Sequence, residues 1–134
     1  MIRAVIDTNV LFEGLTDTAS VSALVVDAWL SHLFIPCISD SVAYEYEDVL
    51  SRKLSVVRWQ GIQHILSRLL MDSKYVNANF RWRPIARDIG DDHLVDCAMN
   101  TNACVVTYNR RDFATAMRQL NLIVFSPKEF IEEL

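Results

Sequence analysis

Asp7 follows three apolar residues, Ala4-Val5-Ile6, and opens the polar triplet Asp7-Thr8-Asn9. A carboxylate at the rim of an apolar core is costly to desolvate unless something pairs with it. Further acids recur beside apolar segments: Glu45 to Asp48, Asp88 to Asp96, and Asp112. Carboxylates gathered without matching bases point to a divalent cation, because hard oxygen ligands suit magnesium and manganese. A single such aspartate would read as a turn cap. The repetition favours metal. His32, His64 and His93 form no paired ligand motif and read as surface or structural residues.

The length of 134 residues allows one domain with a substantial core. With 51% of residues apolar and 22% charged, a disordered chain is excluded. A net charge of −4 argues against a generally basic nucleic-acid surface. Acids reserved for metal would account for that excess, and bound cations would reverse the local sign. Cys37, Cys97 and Cys104 are odd in number, lack C-x-x-C spacing and sit in apolar stretches, as buried reduced thiols of a cytoplasmic protein would. No secretory signal pattern opens the chain, and Asp27 interrupts the apolar segment Ala23 to Leu30, so a soluble protein with no membrane span is expected.

Strand-like and helix-like patterns alternate along the chain. Arg3 to Asn9 reads as a short strand ending in a turn-forming triplet. Val21 to His32 has a helical period, with Ser20 or Ser22 as its cap. Leu33 to Ile38 has strand length, and Pro36 predicts an irregular or edge position. Ser39-Asp40-Ser41 supplies caps for a helix through about Lys53, and Val57 to Met71 forms another. A connection from Asp72 to Ile89 includes a short strand near Tyr75-Val76. Then come a helix over Asp92 to Asn100, a strand over Ala103 to Thr107 and a helix over Asp112 to Leu120. Leu122 to Phe125 is a last strand and Lys128 to Leu134 a closing helix. This alternation predicts an α/β fold: a mainly parallel sheet with helices on both faces. Ligands of such sheets bind beyond the carboxyl ends of the strands, which gathers sequence-distant acids at one edge.

Taken in order, the acidic segments resemble the PIN-domain family of metal-dependent ribonucleases, in particular its bacterial and archaeal toxin–antitoxin toxins. Asp7-Thr8-Asn9-Val10-Leu11 is similar to the family's opening D-T-N-V-L. Ser39 to Leu50 resembles S-x-x-L-x-x-E-Y-x-x-V-L, which places the family glutamate at Glu45. Asp88 to Ala98 matches D-x-x-D-[DN]-x-[FIL]-[LV]-[ED]-x-A. Thr107 to Phe113 resembles T-G-N-x-x-D-F, and Phe125 to Phe130 the closing S-P-x-E-F. The chain departs from the pattern at Val42 (leucine), Tyr108 (glycine) and Asn109, where many relatives carry aspartate.

The resemblance implies a three-layer α/β/α sandwich and hydrolysis of RNA phosphodiesters with magnesium or manganese. It implies Asp7, Glu45, Asp91 and Asp112 as metal ligands. Thr8, Asn9, Asp96, Thr107 and Asn109 would orient water or ligands around them. Such chemistry suits paired cations ~3.5–4 Å apart, which activate water and stabilise a leaving oxygen. A small antitoxin protein and a homodimer are the partners it implies.

Glu47 and Asp48 read as a solvated helix face. Asp91 could equally cap the next helix, and Asp112 could cap the one that follows it. At about 100° per residue, Asp91 shares a face with Leu94, Val95 and Ala98. Asp92 aligns instead with Asp96, four residues on, in an acidic pair that could be solvated. Arg110 and Arg111, beside the metal edge, are candidates for RNA phosphate contacts. The cluster Arg81, Trp82, Arg83 and Arg87 reads equally well as RNA contacts or as solvated charge around a packed tryptophan. A haloacid-dehalogenase-like phosphatase would require D-x-D, whereas Asn9 occupies the second position. A phospho-receiver domain would order its acids differently. The remaining alternative is a non-catalytic RNA-binding module, which Tyr108 and Asn109 leave open.

Overall fold

In the computed structural model, residues 1–77 and 92–134 are described. Asp88, Asp91 and the Arg81, Trp82, Arg83, Arg87 cluster lie outside them. Among the described residues, five strands form one parallel sheet: β1 (Arg3–Ile6), β2 (Ile35–Ile38), β3 (Lys74–Tyr75), β4 (Cys104–Val106) and β5 (Val124–Phe125). Their spatial order is β3-β2-β1-β4-β5. Ala4-Val5-Ile6 and Cys104-Val105-Val106 are buried at every position. Strands covered on both faces show such unbroken apolar runs. The covering helices are α1 (Thr8–Thr16), α2 (Val21–Leu30), α3 (Asp40–Lys53), α4 (Val56–Met71), α5 (Asp92–Thr101), α6 (Ala114–Leu120) and α7 (Pro127–Glu133). The fold is the α/β sandwich expected, with every described strand pair parallel.

Local chemistry accounts for the helix starts. The hydroxyls of Ser20, Ser39 and Ser55 accept from the backbone N–H groups of Ala23, Val42 and Arg58. Ser126 and Glu129 close a reciprocal capping box with Pro127 in the first turn. Three helices end through a left-handed residue, His32, Asn102 or Asn121, before the chain turns into β2, β4 or β5.

Three expectations are revised. Thr8 to Thr16 is a helix, not a turn, because α1 starts directly at the end of β1. β2 is not an edge strand, since it pairs with β1 from Ile35 and with β3 from Cys37. Ile35 N–H already bonds Ile2 on the β1 side, so alternation turns the Pro36 nitrogen the other way. There β3 has not yet begun to pair, and the missing N–H is harmless. The stretch after β4 begins as a 3₁₀ turn, Arg110–Phe113, before α6.

The core joins these layers through aromatic contacts. Trp29 meets Phe34 and Tyr46 edge-on, and its indole N–H bonds the Leu69 carbonyl at 3.0 Å, tying α2 to α4. Cys37, Cys97 and Cys104 are free and buried. Burial pushes the Cys97 and Cys104 thiols up to about 12, so all three behave as small apolar groups. No helix among the described residues is long and apolar enough to cross a membrane.

Gly14 lets α1 and α2 touch. A Cβ there would lie 2.5 Å from the Ser22 carbonyl oxygen and 2.6 Å from Val26 Cγ2, whereas at Gly61 it would meet nothing within 4 Å. Gly14→Ala is therefore expected to destabilise by about 1–3 kcal/mol. Gly61→Ala, in the exposed middle of α4, should stabilise by about 0.5–1 kcal/mol. Urea unfolding of both variants checks the pair, and equal effects of the same sign would refute this account of the α1–α2 contact.

Candidate functional site

The connection from β1 leads to β2 on one side, whereas β4 returns to the other side of β1. In open parallel sheets such a topological switch is where a ligand crevice is expected, here at the carboxyl ends of β1 and β4. Asp7 and Thr107 stand just beyond these two strand ends. Asp7 N–H bonds the Val106 carbonyl at 2.9 Å, and Thr107 Oγ1 donates to Asp7 Oδ2 at 2.6 Å. The Asn109 N–H in turn donates to Thr107 Oγ1 at 3.0 Å, which shapes the following loop. Asp7 is only 7% exposed and Thr107 is fully buried.

Asp7 is more than a cap. Its carbonyl accepts from Val10 and Leu11, but its side chain closes no capping bond. Burial pushes its carboxyl above the usual range. The Thr107 hydroxyl and the N–H groups of Asn9 and Thr8 pull it back, and the Asp112 charge pushes it up again. Asp112 is therefore an electrostatic neighbour of Asp7 across 105 residues of sequence. It does not cap the following helix either: the N-cap of α6 is Phe113, with no side-chain cap bond. Thr8 is buried beside them, and its Oγ1 has no hydrogen-bond partner among the described residues.

Glu45 approaches from α3 and is half-buried. Its neighbour Tyr46 is fully buried and donates its hydroxyl to the Ile6 carbonyl, fastening α3 to the last residue of β1. Burial, then Cys97, Asp7 and Glu45, push the Tyr46 phenol well up, so it stays a neutral donor. Tyr46 is a positioning residue that pattern reasoning passed over, although it stands beside Glu45 in the E-Y pair. Glu47 is exposed and Asp48 pairs with Arg52 at 3.5 Å, as a solvated face should.

On α5 one expectation fails. Asp92 and Asp96 are buried, at 1% and 3% exposed, so their face is not open to solvent. Leu94, Val95, Cys97 and Ala98 are buried as well, because α5 is packed across β1, β2 and β4. His93 lines a cleft with Tyr44, Glu45 and Asp48. Asn9 is exposed at the rim, as are Asn109, Arg110 and Arg111. Arg110 lies 3.6 Å from Glu129 in an exposed pair. Among the described residues, no three His, Cys, Asp or Glu side chains are gathered closely enough to hold a metal ion. The chemistry of the donors nevertheless fits a hard cation: buried carboxylate, a second acid close by and an unpartnered hydroxyl.

A family model described as PIN domain matches residues 3–111. Comparison with curated proteins finds no match. Among solved structures the chain is similar to VapBC2 from Rickettsia felis bound to a DNA fragment from their promoter. That similarity has a TM-score of 0.67 at 18% identity, covering 93% of this chain and 98% of that one. VapBC-1 from nontypeable Haemophilus influenzae gives a TM-score of 0.62 at 17% identity, covering 95% and 99%. FitAB bound to an IR36 DNA fragment gives 0.60 at 17% identity, covering 92% and 94%. Likeness at these identities is likeness of fold.

The electrostatics make a signed prediction. An acid whose folded pKa is raised favours folding below its unfolded pKa, and that contribution is lost as pH rises through the folded value. Metal-free protein should therefore lose the Asp7 contribution on going from acid to neutral pH. Asp7→Asn, which can still accept from Thr107, should melt higher than the parent at neutral pH and lose this advantage in acid. Parallel melting curves across pH check it, and a variant less stable than its parent at neutral pH would contradict it.

Proposed function

The chain belongs to the PIN-domain family, whose members are generally nucleases, and on that premise we propose that it is a single-domain ribonuclease using magnesium or manganese to hydrolyse RNA phosphodiesters. The observation that carries this reading is Asp7, a buried carboxylate at the topological switch whose charge is disfavoured by burial and by Asp112. A divalent cation would relieve both penalties at once.

Asp7, Glu45, Asp91 and Asp112 are the proposed ligands. When bound, magnesium or manganese supplies an activated water and neutralises charge on the leaving oxygen. The protein's own part is placement. Thr107 holds the Asp7 carboxylate in one orientation, and Tyr46 anchors the helix that carries Glu45. Thr8, Asn9, Asn109 and Asp96 order the surrounding water and ligands. Arg110 and Arg111 hold RNA phosphates at the rim, so local cationic charge offsets the acidic chain. The remaining acid comes from the segment Asp91 to Asp96 of the sequence. The resemblance selects Asp91, while burial of Asp92 and Asp96 favours that pair as a further wall of the site.

The proposal extends to a toxin held in check by a small antitoxin, with a homodimer as the assembled form and the cytoplasm as its place. The likeness to structures of VapBC and FitAB supports the antitoxin part of that extension.

Purified protein is expected to cleave single-stranded RNA with magnesium or manganese and to stop in chelator. Asp7→Asn should abolish cleavage and also the metal-induced rise in melting temperature, worth roughly 2.7 kcal/mol at a hundredfold excess over Kd. Glu45→Gln should lose cleavage and relieve the growth inhibition that expression of the parent causes in bacteria. Undiminished cleavage in chelator by a preparation free of contaminating nuclease would refute the metal mechanism.

Rates of three aspartate variants test the remaining ligand. Asp91→Asn and Asp92→Asn should each reduce cleavage at least a hundredfold, on the order of ~3 kcal/mol of lost stabilisation, with Asp96→Asn intermediate. Full activity in Asp92→Asn would make its burial purely structural.

A further inference from the structure

Beside the acids lies a cleft of about 400 Å³ lined by Tyr108, Asn109, Arg110, Arg111 and Asp112. Tyr108 forms its aromatic wall and is 49% exposed. Its hydroxyl is held from two sides, by Glu13 on α1 at 2.5 Å and by Ser22 on α2 at 2.8 Å. A carboxylate only accepts, so the phenolic proton goes to Glu13 and Ser22 donates the second bond. With the hydroxyl engaged, the surface Tyr108 offers to solvent is chiefly ring. A ring tethered in this way has little rotamer freedom left to lose on binding. Asp112, which also lines the cleft, is the electrostatic neighbour of Asp7, so cleft and proposed reaction centre share a residue. Arg111 is exposed and in no ion pair among the described residues, whereas Arg110 is drawn towards Glu129.

We infer that Tyr108 is a stacking platform for an unpaired base of single-stranded RNA, with Arg111 gripping the adjacent phosphate. Immobilised aromatic rings beside arginines bind single strands in this manner, because every base has a π-face to stack. Bases inside a duplex have no free face, so the platform selects unpaired RNA. Glycine, which the family pattern carries at this position, offers no ring, so the platform belongs to this chain's own sequence. The inference rests on the ribonuclease reading and names the side chain that would engage the bases of its single-stranded substrate.

The test titrates a short labelled single-stranded oligoribonucleotide, its abasic counterpart and a duplex of the same length in calcium, with oligonucleotide integrity checked. Cleavage is followed separately in manganese. Parent protein should prefer the base-bearing single strand to the other two. Tyr108→Ala should weaken binding of that strand roughly five- to 150-fold and leave the abasic strand unchanged. Tyr108→Phe should keep the preference, while Tyr108→Leu, which retains bulk without a π-face, should lose it. Equal behaviour of the Phe and Leu variants, or equal loss for base-bearing and abasic strands, overturns the platform. If manganese-dependent cleavage persists in the parent, such an outcome leaves the nuclease reading intact. Absence of both RNA binding and cleavage in the parent overturns the two together.

Discussion

A carboxylate buried where two parallel strands end side by side is the constraint on which the rest of the structure depends. Asp7 closes on Thr107 only if β4 lies beside β1 in the register Ala4 to Cys104 through Ile6 to Val106. Between the two strands the chain visits β2 and β3 on one side of β1 before returning to the other. The arrangement of α3 follows from the same joint, because Tyr46 spends its hydroxyl on the carbonyl of the residue just before Asp7. The interior is thus organised around a polar point at its edge, with the aromatic cluster of Trp29, Phe34 and Tyr46 packed behind it.

Burial of this kind is unfavourable unless compensated, and here the compensation is incomplete. Thr107 and the first N–H groups of α1 lower the Asp7 carboxyl, yet desolvation outweighs them. Evenly satisfied carboxylates are structural. One left in deficit, with a second acid nearby, stores the unfavourable energy that a cation releases on arrival. On the proposed function, the same logic would let an acidic chain serve an anionic substrate, since the sign that matters is the local one.

Much of this was legible in the sequence, for identifiable reasons. Doubly covered strands announce themselves as unbroken apolar triplets, and the serine caps of α2 and α3 stand where the periodic segments begin. What escaped reading depended on tertiary context. α1 is short, and Thr8, Asn9, Val10 and Gly14 are poor helix formers, so its helicity comes from packing on α2. Pro36 suggested an edge, because the side on which its neighbour starts to pair cannot be read locally. Asp92 and Asp96 looked solvated because acids four residues apart usually are, whereas α5 is enclosed on the face that carries them. The tether between Tyr108, Glu13 and Ser22 joins three elements through residues with no shared pattern.

The central place of β1 also has a temporal meaning. Its partner on one side begins at Ile35, but its partner on the other begins only at Cys104. While the chain is being synthesised, Asp7 long has neither the Val106 carbonyl for its N–H nor the Thr107 hydroxyl for its side chain. Contacts so distant in sequence form late, after the loop entropy between them has been overcome. On the proposed activity, the nascent chain cannot act as a nuclease until Asp112 has emerged and the sheet has closed around its first aspartate.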